Sequence, residues 1–331
     1  MQSKVTPIKI AVLRFSSIGD IVLISPILRA LQASNTYSVH FVTKRAFSQV
    51  NLHNKNIKKH HLFDKDPREI LSDLKAESFE FIVDLQKNLR SRRLVRLLNV
   101  KSATFPKLNV KKWMLVYFKW DSLPDIHIVD RYFEAIQSLN YKRDGQGLDM
   151  YIGEQNHVNT EQYGLKALDY TVVVLGAALY TKRIPEDILK EILAGIDGKV
   201  ALIGGPAEAQ VGHDLALLDK PRITNFCGKT NLQQSASIVK QSAQVVSADT
   251  GMMHIAAAFQ KKIVVLWGNT VPKLGMYPYY GDNEDKAHYF EVPDLSCRPC
   301  SKIGFKQCPK GHFDCMKKQD TKAIIKVLKQ L

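Results

Sequence analysis

The chain has 331 residues, 45% of them hydrophobic, and 47 Lys and Arg against 32 Asp and Glu give it a net charge of +15. That length exceeds one ordinary α/β core and fits two domains of about 150 residues each, and the hydrophobic content excludes a disordered chain. Lys4 and Lys9 are followed only by a short apolar run, and stretches such as Ile21 to Leu28 are too short to span a bilayer. Neither a signal peptide nor a membrane span is expected, which points to a cytoplasmic protein, soluble or peripheral at the inner membrane.

In chain order, Lys9 to Phe15, Ser38 to Thr43, Phe81 to Leu85 and Ser102 to Phe105 read as strands. Ile27 to Ala33 and Arg90 to Leu98 carry helical periodicity between them. Gly145 to Asn159 is polar and weakly patterned, the expected linker. The alternation then restarts, with strands at Thr171 to Leu175, Val200 to Ile203, Val245 to Ser247 and Ile263 to Trp267. Helices are expected between them at Glu186 to Ala194, Leu232 to Gln241 and Met252 to Ala258. Two βα series with nearly continuous apolar strands predict two parallel, doubly wound sheets.

The positive charge is uneven. Residues 1–155 hold 25 Lys and Arg against 15 Asp and Glu, with clusters at Lys55, Lys58 and Lys59, at Arg90, Arg92, Arg93 and Arg96, and at Lys107, Lys111, Lys112 and Lys119. Each cluster is compatible with a solvated helix face or with an anionic partner, and charge alone does not choose among nucleic acid, membrane and phosphorylated substrate.

Three loops carry the chemistry. After the first strand, Ser16-Ser17-Ile18-Gly19-Asp20 places Asp20 where ligands of open α/β sheets gather, although an aspartate there also suits a turn or cap, and Ser25-Pro26 marks a second helix start. In the second half, Lys182 and Arg183 sit in the loop from Gly176 to Pro185 and suit a pyrophosphate. The run from Val245 through Asp249-Thr250-Gly251-Met252 into Met253-His254 joins a strand to an alanine-rich helix. The N–H groups of Thr250, Gly251 and Met252 would face an anion there, and Gly251 permits close approach. His254, one turn on, reads either as a ligand to phosphate or sugar or as a buried, satisfied histidine. Neither G-x-x-x-x-G-K-[ST] nor G-x-G-x-x-G is present.

In order, the blocks Leu13-Arg14-Phe15-Ser16-Ser17-Ile18-Gly19-Asp20-Ile21, Val83-Asp84-Leu85-Gln86, Val129-Asp130-Arg131-Tyr132, Thr181-Lys182-Arg183-Ile184-Pro185, Leu202-Ile203-Gly204-Gly205-Pro206-Ala207-Glu208, Cys227-Gly228-Lys229-Thr230-Asn231-Leu232, Asp249-Thr250-Gly251-Met252-Met253-His254 and Leu266-Trp267-Gly268-Asn269-Thr270 span nearly the whole chain. Through them the chain resembles the family 9 glycosyltransferases, which include the heptosyltransferases of the lipopolysaccharide core. It departs from the family at Asn269, where proline is usual, and at Val174-Leu175, where Asn-Pro is common.

The resemblance implies a GT-B architecture: two Rossmann-like, doubly wound parallel-sheet domains facing a cleft. Residues 1–155 would bind the acceptor and 156–320 the nucleotide-sugar donor, with a final helix from about Thr321 to Leu331 crossing back to the first domain. It implies an inverting, metal-independent enzyme that moves a heptose from an ADP-activated donor to the lipid A-Kdo inner core. Asp20 would be the general base, ionised but weakly basic beside a helix terminus. The donor would meet Lys182, Arg183, Glu208, Asp249, Thr250, Gly251, Met252, His254, Asn269 and Thr270; Ser17, Gly19, Arg90 and Arg93 would serve the acceptor. The expected partners are the donor and an anionic glycolipid at the inner membrane surface, not nucleic acid. A GT-B enzyme using another nucleotide sugar, a nucleotide-sugar epimerase and a non-catalytic protein binding anionic surfaces are the rival readings.

Cys297, Cys300, Cys308 and Cys315 form a C-x2-C-x7-C-x6-C array with His312 nearby. In a cytoplasmic chain this favours metal over disulfides, but the spacing is not a standard zinc finger, so a structural zinc site and free or redox-active thiols both stay open. Cys227 reads as a small buried hydrophobe.

Overall fold

The computed structural model describes residues 7–330, so Lys4 and Leu331 lie outside it. The chain divides into two compact units. One comprises residues up to Lys107 with Ile126–Tyr151 and Gly281–Asn283; the other comprises Leu108–Asp125, Ile152–Tyr280 and the residues from Glu284 on. The second unit resumes inside the expected linker, but it also takes a segment from before that linker.

In the first unit the strands are β1 (Ile8–Leu13), β2 (Tyr37–Lys44), β3 (Lys59–Phe63), β4 (Phe81–Asp84) and β5 (Ser102–Thr104), and the helices α1 (Ile18–Val22), α2 (Ser25–Gln32), α3 (Leu71–Ala76) and α4 (Leu89–Leu98) lie between them. After β5 come α5 (Asn109–Phe118), which belongs to the second unit, and α6 (Ile128–Glu134), which belongs to the first. The sheet runs β3-β2-β1-β4-β5 with every pair parallel. Ile10 through Leu13 are fully buried on both faces, as a central parallel strand requires. The chain does break at Ser25-Pro26: α1 ends at Val22, and α2 begins with Pro26 in its first turn.

The second unit holds β6 (Tyr170–Val174), α7 (Glu186–Gly195), β7 (Lys199–Ile203), α8 (Ala209–Ala216), β8 (Ile223–Asn225), α9 (Leu232–Gln241), β9 (Gln244–Ala248), α10 (Gly251–Ala258), β10 (Lys262–Trp267), β11 (Ala287–Glu291), α11 (Asp314–Lys317) and α12 (Thr321–Gln330). Its all-parallel sheet is β11-β10-β9-β6-β7-β8. In both sheets successive strands build outward on one side and then switch to the other. The switch falls between β1 and β4 in one sheet and between β6 and β9 in the other. Loops leaving those neighbouring strands diverge, opening a crevice at their carboxyl ends.

The last helix, α12, packs on the second unit: Ile324 and Leu328 enter its core, Thr321 donates to Glu191 of α7 at 2.6 Å, and Gln244 donates to the Leu328 carbonyl at 3.1 Å. Gly195 makes the approach possible, since a Cβ there would lie 2.2 Å from Ile325.

Candidate active site

The first crevice is built around an ion pair. Asp20 lies in the first turn of α1, where its Oδ2 accepts the Ser17 N–H (3.1 Å) and hydroxyl (2.8 Å), while Oδ1 meets Arg14 Nη2 at 2.6 Å. Arg14, at the end of β1, also donates to the carbonyls of Leu85 (2.5 Å) and Ser16 (3.0 Å) and to the Tyr132 hydroxyl (3.1 Å). Burial alone would push the Asp20 carboxyl up, but the Arg14 charge and the Ser17 hydrogen bonds outweigh it and hold it below the usual carboxylate range. The direction agrees with the sequence expectation. The cause does not: a buried guanidinium performs the part assigned to a helix terminus.

The neighbouring loop is tied just as firmly. Buried Asp84, ending β4, accepts the N–H groups of Gln86 and Lys87 and the Ser91 hydroxyl, and Gln86 Oε1 accepts the Phe15 N–H at 2.8 Å. Lys107 donates to the Lys87 carbonyl, and burial together with the Arg14 charge lowers its ammonium to about 8. Sequence reasoning missed Arg14, Lys107 and Tyr132 as site residues, although Arg14 and Tyr132 stand in the quoted motif blocks. Ser17 touches Asp20 directly and Gly19 is buried in α1. Arg90 and Arg93 are exposed on α4, with Arg90 donating to the Lys65 carbonyl at 3.3 Å.

The second crevice gathers most of the residues expected to hold the donor. Lys182 Nζ lies 2.6 Å from Asp249 Oδ2, which also accepts the Thr270 hydroxyl at 2.8 Å. Thr250 is the N-cap of α10, so the first-turn N–H groups of Gly251 and Met252 lack helical acceptors, and the Thr250 hydroxyl is 3.1 Å from that of Ser247. Arg183 meets Glu208 at 3.2 Å and donates to the Ala177 carbonyl, while Glu208 accepts the Gly205 N–H at 2.9 Å. Glu208 thus supports the first two loops of the sheet. His254 is buried in α10.

Asn269 follows β10 beside Thr270, buried, with neither side-chain amide atom hydrogen-bonded among the described residues. A buried amide left unsatisfied costs about 1–3 kcal/mol, which a polar ligand in this crevice would recover. Arg298, not anticipated from sequence, braces the same loop through the carbonyls of Gly268 (2.5 Å) and Thr270 (3.0 Å).

The thiols of Cys297, Cys300, Cys308 and Cys315 neighbour one another, since each of the other three adds to the upward push on Cys315. Cys297 Sγ is 3.9 Å from His312 Nε2, and burial raises the thiols of Cys300 and Cys315, the latter to about 12. Among the described residues the one group of three metal-capable atoms lying within 4.8 Å of each other is His40, His61 and Glu77. Glu77 in that group is already engaged by Lys9 and Lys59. A cavity of about 460 Å³ beside α8 and β8, lined in part by Tyr163, His213 and Phe226, includes none of the candidate site residues. Among the described residues no helix is long and apolar enough to cross a membrane.

Comparison with known proteins follows the same lines. The family profile described as "Glycosyltransferase family 9 (heptosyltransferase)" matches residues 68–307. The chain is 34% identical over 89 residues to lipooligosaccharide heptosyltransferase 2 of Haemophilus influenzae, a match covering 26% of this chain and 26% of that relative's length. A family 9 glycosyl transferase from Veillonella parvula superposes with a TM-score of 0.77 at 20% identity, covering 98% of this chain and 97% of that one. Heptosyltransferase WaaC of E. coli, solved with ADP, does so with a TM-score of 0.69 at 19% identity, covering 98% and 99%. The likeness to these structures shows the fold, two Rossmann-like sheets in the GT-B class.

Proposed function

The chain belongs to glycosyltransferase family 9 (heptosyltransferase), and from that membership we propose that it transfers a heptose to the inner core of lipopolysaccharide, with ADP-heptose as donor and a lipid A-Kdo glycolipid as acceptor. The observation that carries this reading is that each switch-point crevice holds the charge its half of the reaction needs. A carboxylate kept ionised by Arg14 stands in the first, and Lys182 stands with the N-terminus of α10 in the second.

The chemistry follows from those charges. Asp20 accepts the proton of the acceptor hydroxyl as its oxygen bonds to the anomeric carbon. The bond from that carbon to the donor diphosphate breaks on the opposite face, inverting the centre and releasing ADP. Such a transition state resembles an oxocarbenium ion, so the hydroxyl becomes acidic late, and a weak but ionised base suffices. Lys182 and the first-turn N–H groups of α10 stabilise the departing diphosphate, which is the role a divalent cation would otherwise fill. Asn269 and Thr270 would meet the donor in the same crevice, with Met252, Gly251 and Thr250 at the phosphates and His254 behind them.

Calorimetric titration with ADP, UDP, GDP and CMP in the absence of added metal tests the donor assignment. ADP should bind preferentially; preference for UDP or GDP would keep a glycosyltransferase and replace the sugar donor, and failure to bind any nucleotide would overturn the reading. Asp20→Asn should lower turnover by about 10²- to 10⁴-fold with ADP affinity unchanged, and undiminished turnover would remove Asp20 as the base.

A further inference from the structure

The helix α5 uses only a narrow face to attach itself. Leu115 and Val116 are its buried residues, and Leu115 packs with Leu108, Leu123, Val271 and Leu274. Lys119, just past its end, donates to the carbonyls of Val116 (2.9 Å), Cys297 (3.3 Å) and Pro299 (2.7 Å), fixing the helix to the rest of its unit. The opposite side is apolar and uncovered: Val110 is 71% exposed, Trp113 46%, Tyr117 66% and Phe118 65%, and just past the helix end Trp120 is 62% exposed. Trp113 packs at 5.3 Å on Tyr117 and 5.1 Å on Phe118, so these rings form one patch rather than scattered contacts. Single exposed hydrophobic residues are ordinary; contiguous exposed aromatics on a firmly anchored helix mark a docking surface.

We propose that this face of α5 seats the protein on the headgroup region of an anionic phospholipid bilayer. Two features select that occupant. The apolar side is dominated by Trp and Tyr, whose rings combine an apolar body with a polar tip and settle at the membrane–water interface. Lys111 lies exposed beside the patch, and the chain as a whole carries +15. An interfacial helix of this kind buries its apolar side shallowly while its basic residues meet acidic headgroups. The surface deepens the transferase reading by supplying a route to a lipid-linked acceptor, but it is tested without substrates and stands or falls separately.

Tryptophan emission reads the patch, because of the three tryptophans Trp113 lies on it, Trp120 is exposed two residues past the end of the helix, and Trp267 is buried. The full chain, mixed with vesicles of phosphatidylcholine alone or of phosphatidylcholine with phosphatidylglycerol, should sediment with the anionic vesicles and shift its emission to the blue, both effects weakening with added salt. In W113S/Y117S/W120S the partition coefficient should fall at least tenfold, while the circular dichroism melt, ADP affinity and turnover on a deacylated, soluble acceptor match the parent. Vesicle binding that persists in this variant, or absence of binding to either vesicle, overturns the proposal. A blue shift that grows with protein concentration in the absence of lipid, together with a sedimentation-velocity dimer lost in the variant, would assign the patch to a second copy of the chain instead.

Discussion

Replacing Arg14 with methionine isolates what holds Asp20 in its working state. The guanidinium makes an ion pair with Asp20 and hydrogen bonds to two carbonyls and a tyrosine hydroxyl, all at 3.1 Å or less. Methionine retains most of the volume and removes every donor. Taking away one partner of a buried ion pair costs about 3–5 kcal/mol because the other charge is left uncompensated. Asp20 keeps a side-chain exposure of 19% and can take up a proton, so the lower end, about 3 kcal/mol, is expected. For a unit of this size that corresponds to a fall in Tm of about 6–12 °C, within the margin a folded domain can lose.

The sign of the pH effect is opposite to that of stability alone. With Arg14 present, Asp20 titrates below the usual carboxylate range and the acid limb of kcat/KM lies below the neutral region. Burial, already the largest single influence on Asp20, raises a carboxyl, and without Arg14 only the Ser17 hydrogen bonds oppose it. The acid limb of Arg14→Met should therefore move to higher pH. Rates measured from pH 4 to 8, with thermal melts at each pH, provide the assay. Adding Asp20→Asn to Arg14→Met should recover part of the lost stability, since no charge is then stranded, without recovering turnover. An acid limb and a melting temperature both unchanged in Arg14→Met would refute this account of the pair.

Two further outcomes are expected. Lys182→Ala removes a charged donor from the second crevice and leaves Asp249 without its cation; a charge-assisted hydrogen bond is worth about 1.5–3 kcal/mol, so calorimetry should show ADP binding weakened about 10- to 100-fold, and unchanged affinity would place the diphosphate elsewhere. Burial, with nearby His40 adding to it, lowers the His61 imidazole from 6.5 to about 4. The unfolded chain then takes up a proton that the folded chain refuses, so stability is full above pH 6.5 and declines as pH falls toward 4, by up to about 3 kcal/mol; His61→Gln should flatten that slope in urea denaturation curves followed across the same range.

Much of the architecture was legible because central parallel strands announce themselves. Residues 10–13, 172–174 and 245–248 are buried on both faces and, Ser247 apart, read as unbroken apolar stretches. The edge strands β3, β8 and β11 were not read, for the converse reason: Lys59-His60-His61 and Ala287-His288-Tyr289 mix polar residues into positions that only one neighbour covers, and β8 has three residues. Site residues on loops at strand ends could be found from their motifs. Arg14 was harder, since one arginine among 47 basic residues carries no mark of burial, and its role exists only where β1, the loop after β4 and α6 meet. The aromatic face of α5 was hidden as well, because apolar residues at helical spacing usually signal a buried stripe and here most of them point outward.

The two crevices share a logic that explains why each charged residue comes with a fixed partner. A carboxylate offers about four lone-pair sites. Arg14 takes one site of Asp20, and the Ser17 N–H and hydroxyl take two more, so the carboxylate is held in orientation with capacity left for about one further donor. An acceptor hydroxyl would supply that donor. In the second crevice the roles reverse: Asp249, itself fixed by Thr270, holds Lys182, whose ammonium has three protons to donate and uses one on Asp249. An incoming diphosphate can meet the remaining protons without breaking the pair. In each case the partner restrains the working group and leaves it unsaturated, so electrostatic stabilisation is in place before the substrate arrives and little reorganisation is required when charge develops.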